Sequence, residues 1–171
     1  NTFALSHLSQ KELLPENADF ITNENVYAYN DAAVLTYTRE KAQAFTYPVE
    51  NDMDNLYSMR NKQGIVPVYF YPKLFISRMP VSVSNNEAFT DDMEAVYTKN
   101  VRDGITFVTP EHPVSMLQYV KQMKEKGFNR FLIDFSFRQP SKNVFQTIIK
   151  RYASSQQVQP STNFNFKRTL K

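Results

Sequence analysis

The sequence predicts an α/β fold of repeated strand–helix units that amounts to about half of a TIM-type barrel. Short apolar runs typical of buried strands alternate with segments whose apolar residues recur at helical spacing. The clearest unit is the run Phe131–Ile133, which follows a helical pattern ended by Gly127 and precedes a helix start at Ser141. We count about four such pairs, whereas a closed (β/α)₈ barrel usually needs roughly 250 residues.

The composition of the 171 residues is that of one domain with a substantial core, since 42% are hydrophobic and 14% aromatic. The absence of cysteine excludes disulfides, thiolate metal sites, iron–sulfur clusters and a cysteine nucleophile. The three glycines do not cluster, which argues against a P-loop or a dinucleotide fingerprint. Only His7 and His112 are present, which disfavours a histidine-rich metal site. The net charge of +3 permits a nucleic-acid partner without arguing for one.

No apolar run of 18 residues is present, so we predict no membrane span and expect a cytoplasmic protein. The chain begins at Asn1, almost directly inside an apolar stretch and without a signal-peptide pattern. We therefore expect residues 1–171 to be a single domain, either processed or cut from a longer protein. Residues 153–171 are predicted to form a polar tail.

The individual elements follow from periodicity and capping signals. Strands are predicted at 2–5, 19–22, 26–29, 44–49, 65–71 and 128–137. Helices are predicted at 32–42 after Asn30, from 50 to about 62, from 110 to 126, and at 142–152 after Ser141. Residues 80–104 interrupt this alternation and predict an antiparallel β insertion, in which 93–98 and 105–108 pair across the turn at 100–104. The last helix is expected to turn five residues inward: Val144, Phe145, Ile148, Ile149 and Tyr152.

Two acidic residues follow predicted strands, where open α/β sheets and barrels place their chemistry. Glu50 is interpreted as a barrel-mouth carboxylate that acts as a base or metal ligand. The alternative is that Glu50 and Asp52 are acids of a helix start capped by Asn51. Asp134 ends an apolar run, so it is interpreted as an acid with a shifted pKa.

Arginines supply the alternative interpretation of Asp134, because a buried acid needs a partner. Arg138 or Arg78 would then form a structural ion pair with it. Arg78 is also interpreted as a clamp for a carboxylate or phosphate, with an ordinary surface arginine as the alternative. His7 and His112 are interpreted as a loop residue and a helix-entry residue.

The tail interleaves aromatic and basic residues, namely Phe164, Phe166, Lys167, Arg168 and Lys171. Such a pattern can stack bases and bind phosphates. The alternative packs Phe164 and Phe166 into the fold and leaves the cations in solvent.

Four segments resemble the later part of the collagenase-like peptidase family U-32, and together they span most of residues 26–171. They are TYPVEND at 46–52, VYFYP at 68–72 running into LFISRMP at 74–80, RDGITFVTP at 102–110, and FLIDFS at 131–136 with the tail FNFKR at 164–168. The resemblance implies a TIM-barrel-like peptidase or collagenase. Some members of the family instead serve RNA or ubiquinone hydroxylation through cysteine-bound iron–sulfur clusters, which a chain without cysteine cannot hold.

The leading hypothesis is therefore a U-32-like peptidase whose site binds a peptide or modified polymer. Glu50 and Asp134 are the predicted catalytic residues; the predicted substrate-binding residues are Arg78, Arg138, Asn51 and Tyr71. Hydrolysis would use carboxylate-activated water, with no organic cofactor and with a divalent metal left open. The alternatives are an RNA-associated accessory module, and a non-catalytic half barrel that needs its amino-terminal half or another chain.

Overall fold

A mixed α/β fold is seen in the computed structural model, which describes residues 1–79, 82–85, 87–92, 94–137 and 139–167. The strands in these ranges are β1 Thr2–Leu5, β2 Asp19–Thr22, β3 Ala44–Phe45, β4 Ile65–Phe70, β5 Phe75–Ser77, β6 Ala88–Thr90, β7 Val96–Arg102, β8 Ile105–Pro110, β9 Val114–Ser115 and β10 Arg130–Ile133. The helices are α1 Asp31–Arg39, α2 Met53–Ser58, α3 Val120–Glu125 and α4 Lys142–Ala153. Short 3₁₀ turns occupy Leu8–Leu13, Glu24–Val26 and Leu117–Tyr119.

Five strands, namely β1, β2, β3, β4 and β10, form a parallel layer in which they lie side by side in sequence order. β1 pairs with β2 and β2 with β3, all parallel, and β4 pairs parallel with β10. The two groups join where Thr46 bridges Ile65 in parallel and the Tyr47 N–H donates to the Ile65 carbonyl at 2.9 Å. Each strand in the series β1, β2, β3, β4, β10 therefore lies beside its predecessor, and the described strands do not close a barrel.

Side-chain caps fix where the helices begin. Asn30 caps α1 by accepting a hydrogen bond from the Ala33 N–H at 2.9 Å, and Ser141 caps α4 through the Val144 N–H at 3.3 Å. Both starts agree with the sequence signals. The cap of α2 is Asp52, which accepts from the Asn55 N–H at 2.8 Å, so the expected cap at Asn51 is wrong by one position.

The antiparallel insertion is a four-stranded sheet in the order β5–β8–β7–β6 among the described residues. It spans 75–110 and is thus wider than the predicted 80–104, because β5 pairs back onto β8. β7 and β8 form the expected hairpin. Asp103 and Gly104 turn the chain with φ of 51° and 74°, a conformation that glycine adopts at little cost.

The core is rich in aromatic side chains. Tyr47 and Phe128 are almost fully buried, and their rings meet edge to face with centroids 5.8 Å apart. Phe45 contacts Tyr47 in the same way at 5.2 Å. The Tyr47 hydroxyl donates to the Asn61 carbonyl at 2.6 Å, so the phenol is hydrogen-bonded although it is buried.

Two predicted elements are wrong because local hydrogen bonds override the apolar pattern. The expected strand at 26–29 is the end of a 3₁₀ turn that Asn23 caps by accepting from the Asn25 N–H, after which Tyr27 turns the chain at φ 35°. The helix expected from Pro110 begins only near Leu117, because Val114–Ser115 pairs with the end of β4 as β9.

The helix α4 buries less of its apolar face than its sequence predicts. Ile148 is 1% exposed, but Val144 and Phe145 are each 46% exposed and Ile149 is 40% exposed. Among the described residues, the layer buries Ile148 and leaves the other three side chains named here partly exposed. An apolar surface on α4 is consequently open to solvent.

Candidate functional site

A cleft of about 240 Å³ lies at the carboxyl ends of the parallel strands, and we call it the strand-end cleft. Its walls come from β4 and β10 and from the segments that follow β2, β3, β4 and β10, with one side chain from β5. The lining residues are Glu24, Asn25, Tyr27, Val49, Glu50, Pro67, Phe70, Tyr71, Pro72, Lys73, Ile76, Leu132, Asp134, Ser136 and Phe137. This edge is where parallel α/β folds bind their ligands.

The alternation of side chains along β10 aims Asp134 into the strand-end cleft. Phe131 and Phe135 face α4, where their rings contact Tyr152 and Phe145 at 6.1 Å and 5.6 Å between centroids. Because successive side chains of a strand point to opposite faces, Leu132 and the following Asp134 line the cleft instead.

The carboxylate of Asp134 is held by its own turn. Its Oδ1 accepts a hydrogen bond from the Ser136 N–H at 2.7 Å, and its backbone N–H donates to the Tyr69 carbonyl at 2.8 Å. In the part of the chain that the structure describes, no ion pair reaches Asp134. The side chain is half-buried rather than enclosed, so it remains accessible to a ligand.

Glu50 lies beside Tyr27, and its charge also acts on Tyr29; both tyrosines belong to the segment after β2. The Tyr27 hydroxyl is 3.5 Å from the Glu50 Oε1. The negative charge of Glu50 raises the pKa of Tyr27, and partial burial and the hydrogen bond add to this effect. Burial raises the pKa of Tyr29, and the charges of Asp52 and Glu50 raise it further. An ordinary tyrosine is already protonated at neutral pH, and the raised pKa keeps both phenols hydrogen-bond donors to more alkaline pH.

Lys73 is the one positively charged side chain among the lining residues named above. Its Nζ lies 5.2 Å from the ring centroid of Phe137 and 5.5 Å from that of Phe107, which is cation–π distance. The carboxylates of Glu24, Glu50 and Asp134 outnumber this one cation, so the cleft favours a ligand that carries positive charge.

The residues predicted from the sequence separate into three groups. Glu50, Tyr71 and Asp134 line the strand-end cleft. Asn51 is buried elsewhere, with its Oδ1 accepting from the Asn55 Nδ2 at 2.7 Å, and Arg78 is exposed after β5, outside the cleft lining. Arg138, the remaining predicted substrate-binding residue, lies outside the described residues.

Sequence reasoning missed Tyr27, Lys73 and Phe137. Lys73 follows the end of β4 and Phe137 the end of β10, so the rule that named Tyr71 and Asp134 could also have found them. Tyr27 was assigned to a strand and carried no signal of a site.

No group of three or more acidic, histidine or cysteine side chains in the described ranges is placed to hold a metal ion. The divalent metal left open by the sequence thus remains a prediction, with two carboxylates of the cleft as its possible ligands. Across the same ranges, none of the helices combines the length and the apolar character that crossing a membrane requires.

The aromatic part of the tail is packed against the body of the fold. Phe166 is 3% exposed and contacts the ring of Tyr119 at 5.3 Å between centroids, and its carbonyl accepts from the Met53 N–H at 2.9 Å. A buried ring is not available to stack on a base. Arg168 and Lys171 lie outside the described residues, and the RNA-associated alternative stays a prediction that a salt titration of binding would test.

Comparison of the chain with protein-family models, with curated proteins and with solved structures finds no match.

Proposed function

We propose that the chain is part of a peptide hydrolase of the U-32 type that its sequence resembles, with the strand-end cleft as the active site. The observation that supports this most is that Glu50 and Asp134, from segments far apart in the sequence, line one accessible cleft. A pair of carboxylates beside a protonated phenol and a lysine is suited to water-dependent hydrolysis.

The reaction follows from the charges of these groups. Glu50 accepts a proton from a water molecule, whose oxygen forms a bond to the peptide carbonyl carbon. Tyr27, whose phenol is protonated at neutral pH, and Lys73 stabilise the negative charge on the carbonyl oxygen. The C–N bond then breaks, and the proton on Glu50 passes to the leaving amine. Asp134, held by the Ser136 N–H, orients the substrate or the water. Glu50 and Asp134 would be the residues to hold a divalent ion, which would supply Lewis-acid activation of the water.

We also propose that the parallel layer is about half of a TIM-type barrel. β1, β2, β3, β4 and β10 are parallel neighbours in sequence order, with β9 added antiparallel to the end of β4, and the cleft lies at the carboxyl ends of the parallel strands. These are the features by which barrels of this type position an active site.

Hydrolysis of gelatin, casein and a quenched fluorescent peptide by the purified chain tests the proposed activity. We expect Glu50→Gln to lower the rate about 100-fold or more, the usual effect of losing a general base, and Asp134→Asn to lower it about 100-fold because the substrate or water is no longer oriented. Glu125→Gln, which changes an exposed carboxylate at the end of α3, is the matched control and should leave the rate unchanged. A parent protein that releases no more peptide than buffer would rule the proposal out.

A second candidate function is a non-catalytic half barrel that a partner chain completes. It is favoured by the outer strands, since among the described residues β1 pairs with β2 alone and β10 with β4 alone, and by the exposed apolar surface of α4. Analytical ultracentrifugation should then show reversible self-association that Ile149→Lys weakens. A stable monomer over a wide concentration range would count against this candidate.

A further inference from the structure

The strand β5 exposes apolar side chains on both of its faces. Phe75 is 52% exposed and Ile76 is 56% exposed, although their side chains point in opposite directions, and the preceding Leu74 is 40% exposed. An ordinary strand of an antiparallel sheet buries one of its two faces. The described part of the chain thus leaves β5 uncovered on both sides.

β5 is also an edge strand. Within the described residues its ladder partner is β8 alone, so the opposite edge offers backbone N–H and C=O groups to another strand. The other edge of the same sheet, β6, is flanked by Glu87, Asp91 and Asp92, charges of the kind that discourage strand addition. β5 itself carries no charged side chain, and the charges that flank it are the cations Lys73 and Arg78.

This edge leads directly into the strand-end cleft. Ile76 lines the cleft together with Pro72 and Lys73, on the wall beside the segment that carries Asp134. A chain that is added to β5 would therefore continue toward Glu50 and Asp134. Since carboxylates outnumber cations in the cleft, the chain that fits there carries a lysine or arginine.

We propose that β5 is a docking edge for an extended peptide, which adds as a strand, packs apolar side chains on Phe75 and Ile76, and places a basic residue in the strand-end cleft. Backbone hydrogen bonds would give affinity and the alternate side chains specificity, as in other cases of strand addition. The inference deepens the proposed function, because it names an extended basic peptide as the substrate class, but the binding it describes can be measured without hydrolysis.

Fluorescence anisotropy with a short labelled peptide that alternates valine and threonine around a central arginine tests the proposal. We expect Ile76→Asn to weaken binding about tenfold or more, because the apolar contact beside the cleft is lost. Val101→Asn is the matched control: Val101 is 44% exposed on β7 of the same sheet, so its loss should leave the affinity unchanged. Both variants must keep the unfolding midpoint of the parent chain.

Two altered peptides test the mode of binding. N-methylation of alternate backbone amides removes the hydrogen bonds of strand addition and should abolish binding. Replacement of the central arginine by glutamate should weaken binding about tenfold or more, and Glu50→Gln should reduce the difference between the two peptides.

The outcomes separate this inference from the proposed hydrolysis. Binding that depends on Ile76 without any cleavage supports the docking edge and removes the hydrolase. If the chain cleaves the peptide and Ile76→Asn leaves the KM unchanged, the docking edge is refuted and the proposed hydrolase stands. Equal affinity of the N-methylated peptide, or a dimer of the chain that Ile76→Asn dissociates, would overturn the proposal.

Discussion

Tyr27 combines an unusual backbone conformation with an unusual electrostatic environment. Its φ of 35° is one that non-glycine residues rarely adopt, and its hydroxyl lies beside Glu50 at the mouth of the strand-end cleft. Backbone strain of this kind concentrates at binding and catalytic sites, where the surrounding structure holds the residue in place. The residue most useful for testing the geometry of the cleft is therefore one that the sequence pattern did not single out.

Replacement of Glu50 by glutamine should lower the pKa of Tyr27, because the nearby negative charge is the largest cause of its elevation. Titration by NMR of a chain with carbon-labelled tyrosine rings measures this shift directly. Asp52→Asn is the matched control, since the charge of Asp52 raises the pKa of Tyr29. That control should lower the pKa of Tyr29 and leave Tyr27 unchanged. A Tyr27 titration that Glu50→Gln does not alter would contradict the proximity of the two side chains.

Asp31 links the start of α1 to the segment that follows α2. Its carboxylate accepts hydrogen bonds from the backbone N–H of Asn61 at 3.0 Å and of Arg60 at 3.0 and 3.1 Å. These bonds hold the pKa of Asp31 below its usual range, the Asn61 bond having the largest effect. A lowered folded-state pKa means that the ionised side chain stabilises the fold above the unfolded-state pKa of about 3.9. That contribution is lost as the pH falls through the folded-state value.

We expect Asp31→Asn to be less stable than the parent at pH 7 and to approach it in stability as the pH falls from about 3.9 through the lowered folded-state pKa of Asp31, below which the parent carboxylate is protonated as well. Urea unfolding at a series of pH values measures the difference. Asp103→Asn, in the exposed turn between β7 and β8, should follow the parent curve at every pH. A constant difference between Asp31→Asn and the parent across the whole pH range would contradict the linkage.

At the scale of elements, the sequence is informative where the signal is local. Asn30 and Ser141 act as caps because a short side chain needs only its next few residues to form the bond. The exposure of Val144 and Ile149 could not be predicted, because helical periodicity marks an apolar face without specifying what covers it. The segment after Asn23 was misassigned for a similar reason, since an apolar alternation of four residues does not distinguish a strand from a capped turn.

Gly64 directly precedes β4 and lies against the rings of Phe45 and Tyr47, which leave no room for a side chain. A methyl group at Gly64 would overlap ring carbons of Phe45 and Tyr47, and both rings are buried. We expect Gly64→Ala to lower the free energy of unfolding by about 1–3 kcal/mol, the usual cost of overpacking a core. Chemical denaturation measures this change.

Gly104→Ala is the comparison for Gly64→Ala, because it introduces backbone strain without steric overlap. Gly104 has open space around it but a φ of 74°, so alanine there should cost about 1–2 kcal/mol through the backbone alone. The two glycine variants should differ in structure as well, since only Gly64→Ala displaces the Phe45 and Tyr47 rings and shifts their NMR signals. Unchanged ring signals in Gly64→Ala would contradict the packing described for this position.

The whole molecule combines the antiparallel insertion with a layer of parallel strands, and this layer is open at its two sides among the described strands and carries the candidate site at one end. The sequence could predict that Glu50, Tyr71 and Asp134 share this end, because strand direction places the residues that follow parallel strands along one edge. It could not predict Arg78 or Asn51 correctly as lining residues, because the path of the antiparallel insertion and the packing of α2 decide where those side chains lie. The order of the elements along the chain thus predicts at which edge of the sheet a residue lies. Tertiary packing decides which of the side chains at that edge reach the cleft.

An open layer should be unequally stable across its width. β4 lies between neighbours on both sides, and its residues Val66 and Val68 are almost fully buried, whereas β1 and β10 each have one neighbour among the described strands. Local opening therefore costs most at β4 and least at the outer strands. Hydrogen exchange followed by mass spectrometry should show the slowest exchange in the peptide that covers β4 and faster exchange in those that cover β1 and β10. Equal protection of all three peptides in a monomeric sample would contradict an open layer, because it would require both outer edges to be paired.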